Sequence, residues 1–421
     1  MNRGDRVGGD DGVNSQRAVR LFVHSFLIAL GYMITRTLGD GLLLSRLGSD
    51  ALSTVMLISL PVVSMISLAW SRMVSAGVLV HGIAATRIGL AALSCGISLL
   101  LSTHREAWIP VVMLYLCAEI RGVLNTTQMA TLLNEMVPAQ DTRGLSLAFA
   151  GAPVAGITSG ILIGVHLGGL TPPQLLLLAA ACDVLALIPI LGLERIADQS
   201  PGVPVSLPSR RTIDRVRIRR LGRRLMTMIV LQVLVLAFVG YEWRLATGHL
   251  FQTEENLLTA YFARFYAGCD VITVLLQVTF ASTMIQRAGL RSTLLLLPGL
   301  LAVTLPVALI TNEVGALFAV FTVARATDVI RRGLYDQSLV MLYQPLPLMA
   351  RRKLIATVNG IAKPAAEWLA VLTIFLISMS GTQEVKFNLI AVPMTALWVW
   401  AVWVAFAEFR ACEAGHPVVD R

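Results

Sequence analysis

The chain has 421 residues, of which 56% are hydrophobic and only 14% charged, with a formal charge of +9 and a mean hydropathy of +0.73. A soluble domain carries roughly 25% charged residues, so this apolar surplus cannot be hidden in one core and lipid has to solvate much of the surface. Composition therefore excludes a soluble enzyme, and it redirects the basic charge from nucleic acid to the membrane, because the arginines fall mainly in short connections between apolar segments.

Runs such as LLLLAAACDVLALIPILGL (175–193) are continuous over the length of a membrane-crossing helix and lack the alternation of a transmembrane strand. Residues 1–18 are polar and glycine-rich, without the pattern of a cleaved signal, and read as a disordered cytoplasmic tail. Apolar windows then predict about twelve spans, at 19–44, 51–72, 80–101, 107–135, 144–166, 172–193, 224–246, 256–282, 291–311, 314–343, 351–379 and 387–408. Short joints such as LGSD and GGLTPP separate some neighbours. Residues 410–421 form a second cytoplasmic tail.

Residues 196–222, DQSPGVPVSLPSRRTIDRVRIRRLGRR, differ in kind. They are rich in Pro and Ser, then densely basic, and they divide the chain almost in half. The sequence thus predicts an all-α integral membrane protein of two pseudo-symmetric six-helix bundles, 19–195 and 223–409, joined by a basic cytoplasmic linker. Arginines collect on one side of the spans, at 17, 20, 72, 87, 143, 287, 291, 351 and 352 as well as in the linker. The other side holds little beyond Arg46, Arg105, Arg244 and Lys386. This asymmetry puts both termini in the cytoplasm of a multi-pass inner-membrane protein.

The halves resemble each other. IRGVLNTTQMATLLNEMVPAQDTRG (120–144) aligns with RRGLYDQSLVMLYQPLPLMARRK (331–353), Arg121 matching Arg332 and Pro153 matching Pro364 at the same offset of 211. Repeated halves of this kind mark transporters whose site lies near mid-membrane.

Nothing points to catalysis. There is no HExxH, no GxSxG context and no Walker A loop, and the five cysteines are scattered without paired or metal-like spacing. No metal, cofactor or nucleic acid is expected.

The informative residues are charges inside spans, which are costly in hydrocarbon unless paired or facing water. Arg36 and Asp40 sit one turn apart, either as a structural ion pair or as an anion site with its resting counter-ion. Glu119 and Arg121 are two apart and point away from each other, so each needs its own partner or a cavity. Asn125 and Gln128 extend that polar surface. Arg325, Asp328, Arg331, Arg332, Asp336 and Gln337 form a second belt, with Lys363 and Glu367 in the next span. Tyr261, Phe262, Phe265 and Tyr266 either pack together or stack on a planar ligand. Paired arginines suit phosphate or carboxylate, and a carboxylate such as Asp40 or Glu119 suits proton coupling.

Certain segments carry a family resemblance: TRTLGDGLLLSRLGSDAL (35–52), AEIRG (118–122) with LLNEMV (132–137), and EENLLTAYFARFYAGCDVITVLLQ (254–277). So do RGLYDQSLVMLYQPLP (332–347), IATVNGIAKPAAEW (355–368) and the loop MIQRAGLRSTLLLLPG (284–299). The chain resembles the major facilitator superfamily, and within it the ATP/ADP translocase (nucleotide exchange) family. The resemblance implies that Glu119 stands at an acidic position needed for transport and that Asp40, with Arg36 one turn before it, falls on the family's first-helix acidic position. Leu339 and Val340 replace a Lys and a Glu of the family pattern, and Asn359 stands where the family has Asp, which implies a different cargo.

The resulting expectation is a monomeric secondary transporter that moves an organic anion, such as a nucleotide or another phosphorylated solute, by alternating access. Protons are a candidate coupling ion. Arg36, Asp40, Glu119, Arg121, Asn125, Arg332, Asp336, Asn359 and Lys363 are the expected binding residues. The competing expectations are a proton-coupled exporter or lipid translocator, and a non-transporting membrane scaffold or sensor.

Overall fold

A computed structural model describes residues 7–48, 50–75, 79–104, 107–136, 142–166, 170–191, 215–251, 254–311, 313–343, 346, 348–379 and 387–414. Among them there is no strand. Residues 192–214, which hold most of the expected linker, lie outside the described residues, as do 415–421. The helix read as the first span already begins at Val7, inside the stretch expected to be a disordered tail.

Six helices come from the first half: α1 (Val7–Arg46), α2 (Asp50–Ser75), α3 (Leu79–Thr103), α4 (Trp108–Met136), α5 (Thr142–His166) and α6 (Pro172–Leu185). Local chemistry sets their ends. Gly48 follows α1 at φ 76°, a left-handed conformation that a β-carbon penalises. At the start of α6 the Thr171 N–H donates to Gln174 Oε1 at 2.8 Å, and Pro172 occupies the first turn, where no helical N–H is needed.

The second half begins with α7 (Arg215–Phe251) and α8 (Glu255–Leu275). A π-turn over Leu276–Phe280 leads from α8 into α9 (Ala281–Ile310). Gly289, at φ 79° and ψ 158°, breaks this last helix, so the joint between the eighth and ninth expected spans falls inside α9. Next come α10 (Val314–Ala326), α11 (Asp328–Ile330), a π-turn over Arg331–Tyr335 and α12 (Asp336–Leu342). The chain ends with α13 (Leu348–Thr357), a π-turn over Val358–Ala362, α14 (Lys363–Met379) and α15 (Asn388–Ala414).

Ten described helices are long and apolar enough to cross a membrane, from Gln16–Arg46 to Leu389–Cys412. The sequence leads one to expect about twelve. The difference lies at 314–343 and 351–379, which are helical but cut into shorter pieces by charged or polar π-turns. Such turns add one residue to a helical round, open a backbone hydrogen bond and cluster at functional sites.

Contacts group the chain into two units, Met1–Gly48 with Ala69–Val205 and Thr253–Val274, and Ser49–Leu68 with Ser206–Gln252 and Leu275–Arg421. This is a different division from the linear halves: α8 belongs with the first unit and most of α2 with the second. In the first unit α1 packs on α4, α5 and α6, and α3 on α4 and α6. In the second, α7 packs on α10, α14 and α15, and α9 on α15.

Small residues let α8 lie close on α5 in the first unit. A side chain at Gly160 would collide with Ala267 and stand 2.9 Å from the Ala263 carbonyl oxygen, whereas Gly96 of α3 has nothing within 4 Å. Gly160→Leu is expected to destabilise the protein by about 1–3 kcal/mol, as overpacking does, while Gly96→Leu leaves stability unchanged. Thermal unfolding of the two purified variants in detergent checks the contrast.

Candidate functional site

The charges of the first unit sort into two clusters on opposite sides of α4. On one side Arg36 of α1 holds Asp40, one turn further on, with Nε to Oδ2 at 2.9 Å, and its Nη1 pairs with Glu119 of α4. Tyr266 of α8 donates its hydroxyl to Asp40 Oδ2 at 3.0 Å, and the guanidinium lies over the Tyr115 ring at 5.8 Å. One cation thus serves two carboxylates. Asp40 is fully buried, while 29% of the Glu119 side chain is exposed. Glu119 is the member that water or a solute reaches.

On the other side Arg121 turns away, as its spacing from Glu119 requires. Its Nη2 lies 2.6 Å from Asp183 Oδ2 of α6 and donates to Ser94 Oγ of α3 at 2.6 Å. Arg87 of α3 reaches the same carboxylate at 3.5 Å. It also donates to Asn125 Oδ1 at 2.7 Å and to Gln128 Oε1. Asn125 in turn donates to the Ile28 carbonyl of α1 at 2.9 Å. Arg87, Arg121 and Asp183 are all completely buried.

Arg121 and Asn125 were expected to bind solute, but they face a closed network that ties α1, α3, α4 and α6 together. Arg87 was counted among the arginines that set orientation; it is buried inside α3, with Asp183 beside it. Asp183 itself passes unnoticed in the sequence as one carboxylate in a run of alanines and leucines. Its distance from any basic residue along the chain hid its role.

In the second unit the belt around residue 330 takes its geometry from a π-turn. The Asp336 N–H bonds back to the Arg331 carbonyl, five residues earlier. This brings Arg331 Nη1 to 3.5 Å from Asp336 Oδ2, in place of the Arg332–Asp336 pairing that ordinary helical spacing predicts. Asp328 collects both arginines, Arg331 Nε at 2.5 Å and Arg332 Nε at 3.2 Å. Gln277 donates to the Arg332 carbonyl at 3.3 Å. Lys363 interacts electrostatically with Asp336 and Glu367, and Asn359 lies half-buried in the π-turn just before it.

A third grouping was not expected. Two guanidinium groups lie near Gly240 of α7: Nη1 of Arg325 and of Arg244 stand 3.9 and 4.0 Å from the position a β-carbon would take there. Arg325 also lies over Trp243 at 5.6 Å. Arg244 had been counted among the few basic residues of the non-cytoplasmic side; it is buried within α7. That Arg325 comes near the same point depends on the packing of α7 on α10, which no pattern in the sequence shows. The aromatic run of α8 stacks on itself, Tyr261 with Phe265 and Phe262 with Tyr266, which matches packing rather than a ligand platform.

No protein-family model matches the sequence, and no curated protein matches it either. Solved structures do. The chain is similar to a bacterial homologue of the iron transporter ferroportin in an outward-facing state, at 16% identity over 94% of this chain and 99% of that one, with a TM-score of 0.59. It is also similar to a D-xylose-proton symporter, at 14% identity over 92% and 97% with a TM-score of 0.58. A mutant of the nucleoside transporter NupG matches at 11% identity over 95% and 100%, with a TM-score of 0.56. The fold is therefore that of the major facilitator transporters, an all-α, multi-pass membrane architecture.

Removing Asp183 would leave two buried arginines without their counter-charge, a change that typically costs about 3–5 kcal/mol. Asp183→Ala is expected to lower the melting temperature in detergent sharply or to prevent folding. Glu119→Gln, at a partly exposed position, should shift it little. Paired melting curves check the difference.

Proposed function

We propose that the protein is a secondary transporter that moves an organic anion, in the class of nucleotides and other phosphorylated or carboxylated solutes, across the cytoplasmic membrane by alternating access. The fold supports transport as such. The solved structures that share it are described as a homologue of an iron transporter, a D-xylose-proton symporter and a nucleoside transporter, so the choice of cargo rests on this chain's own residues.

The observation that carries the anion reading is the convergence of Arg244 and Arg325 at Gly240. Two guanidinium groups near one point of α7 offer forks that match the oxygens of phosphate or carboxylate. Trp243 beside Arg325 adds a flat surface. The described charges of the second unit's helices include Arg244, Arg325, Arg331, Arg332 and Lys363 alongside Glu242, Asp328, Asp336 and Glu367.

The first unit favours a coupling proton. Two carboxylates on one arginine carry a negative surplus, and Glu119 is the exposed one. A proton on Glu119 would neutralise the cluster and release Arg36 to hold Asp40 alone. By this reading Arg36, Asp40 and Glu119 serve coupling, Arg332, Asp336, Asn359 and Lys363 border the anion, and Arg121 and Asn125 support the helices behind them.

Purified protein in liposomes, offered labelled nucleotides, sugar phosphates and dicarboxylates, tests the proposal. At least one of these anions should accumulate under an inward pH gradient. Arg325→Ala should lower that uptake by about 10-fold or more, on the scale of a lost charge-assisted contact. Glu119→Gln should retain counterflow while abolishing the response to the pH gradient. Absence of uptake and counterflow for every anion, with folded protein in the liposomes, would overturn it.

A further inference from the structure

The last helix carries a feature unrelated to the clusters above. Ala396, Val399, Trp400, Trp403, Val404, Ala407, Glu408 and Ala411 of α15 line an open groove of about 750 Å³. Their spacing of three and four places them on one face. The opposite face is the one that packs inward: Trp398, Ala401, Val402 and Ala405 are buried, against α7 and α9. Trp400 and Trp403 remain about half exposed, at 55% and 50%, on a segment apolar enough to cross the membrane. What such a surface meets is lipid.

The groove is apolar along most of its length and charged at one end. From Ala396 to Ala411 it runs about 22 Å at 1.5 Å per residue, whereas one leaflet of the hydrocarbon core is about 15 Å thick, half of about 30 Å. It can therefore take an acyl chain against the tryptophans and still reach the headgroup region. At the charged end the Arg291 guanidinium of α9 lies over the Trp403 ring, 3.1 Å from its centroid. This fixes a cation beside the groove with its N–H edges free to donate. Glu408 lines the groove itself, five residues beyond Trp403, or about 7.5 Å along the axis. Among the described residues neither Arg291 nor Glu408 forms an ion pair, with each other or with a third group. A cation and a carboxylate set apart, both unmatched, at the polar end of an apolar groove are complementary to a headgroup that carries both signs.

The geometry points to a binding site on α15 for a phospholipid with a phosphate and a primary ammonium, the chemistry of phosphatidylethanolamine. Arg291 donates to the phosphate, Glu408 accepts from the ammonium, and one acyl chain lies along Trp403, Trp400 and Ala396. A choline headgroup presents methyl groups to Glu408 and cannot donate. A glycerol headgroup leaves Glu408 facing a lipid of its own charge.

Native mass spectrometry of the full-length protein, released from detergent with defined phosphatidylethanolamine, phosphatidylglycerol or phosphatidylcholine of identical chains, tests this. Phosphatidylethanolamine should bind about 10-fold more tightly than phosphatidylcholine, in line with a charge-assisted contact. Glu408→Gln should remove that preference and leave phosphatidylglycerol binding intact, while Arg291→Gln should weaken both lipids. Both residues lie at the rim, and an unchanged elution volume and melting temperature identify variants that fold normally. Equal binding of the three lipids, stronger binding of phosphatidylglycerol than of phosphatidylethanolamine, or indifference of the preference to Glu408→Gln in folded protein would overturn the site.

Discussion

A guanidinium buried in a membrane protein needs a carboxylate, and the first unit is arranged around one that serves two. Asp183 of α6 faces Arg121 of α4 and Arg87 of α3, and all three are excluded from water. An ion in this setting costs several kcal/mol unless its geometry and remaining hydrogen bonds are good. Ser94, Asn125 and Gln128 supply some of those bonds, while Arg87 Nε and Arg121 Nε and Nη1 have no hydrogen-bond partner among the described residues. Space is supplied by Gly31 of α1, where a β-carbon would stand 2.6 Å from Arg121 Nη1. Any larger residue there would push α1 off the arginine. The consequence reaches the other side of α4. With Arg121 held behind it, the helix cannot rotate freely about its axis, and Glu119 stays turned toward Arg36.

The architecture was legible because it follows from lipid. Apolar runs of about twenty residues, tight Gly and Pro joints and a basic divide near the middle all report on solvation and backbone geometry, which are local. The pairings were less legible, for a physical reason. Glu119 and Arg121 could be read as having separate partners, since a spacing of two forbids a shared face. Which partners they had could not be read, because Arg36 and Asp183 come from helices far away in sequence. Arg87 and Arg244 show the same gap from the other direction. A rule that reads arginines as orientation signals misses those that a buried carboxylate, such as Asp183, holds inside a helix bundle.

The π-turns of the second unit explain why its belt looks like that of the first in sequence and differs in structure. Arg121 and Arg332 occupy matching positions in the repeat, yet Arg121 is sealed behind α4 while Arg332 shares Asp328 with Arg331. One extra residue in the turn at Arg331–Tyr335 shifts every side chain after it by about 100°, the rotation of one helical residue. Asp336 moves off the Arg332 face and meets Arg331. A second π-turn, at Val358–Ala362, puts Asn359 just ahead of Lys363. The repeat was conserved in pattern and altered in phase.

Charge balance then separates the tasks that the two units are proposed to perform. A buried group of fixed sign is tolerated only while its counter-charge is near, so a surplus has to be met by something mobile. In the first unit the exposed surplus is negative and sits on a single carboxylate, which a proton cancels without adding bulk. In the second the proposed anion site draws on guanidinium groups near Gly240, whose forks suit an oxyanion rather than a proton. On that proposal each solute would be held by groups that do not compete for it, and a proton moved with an anion would reduce the net charge carried through the membrane field.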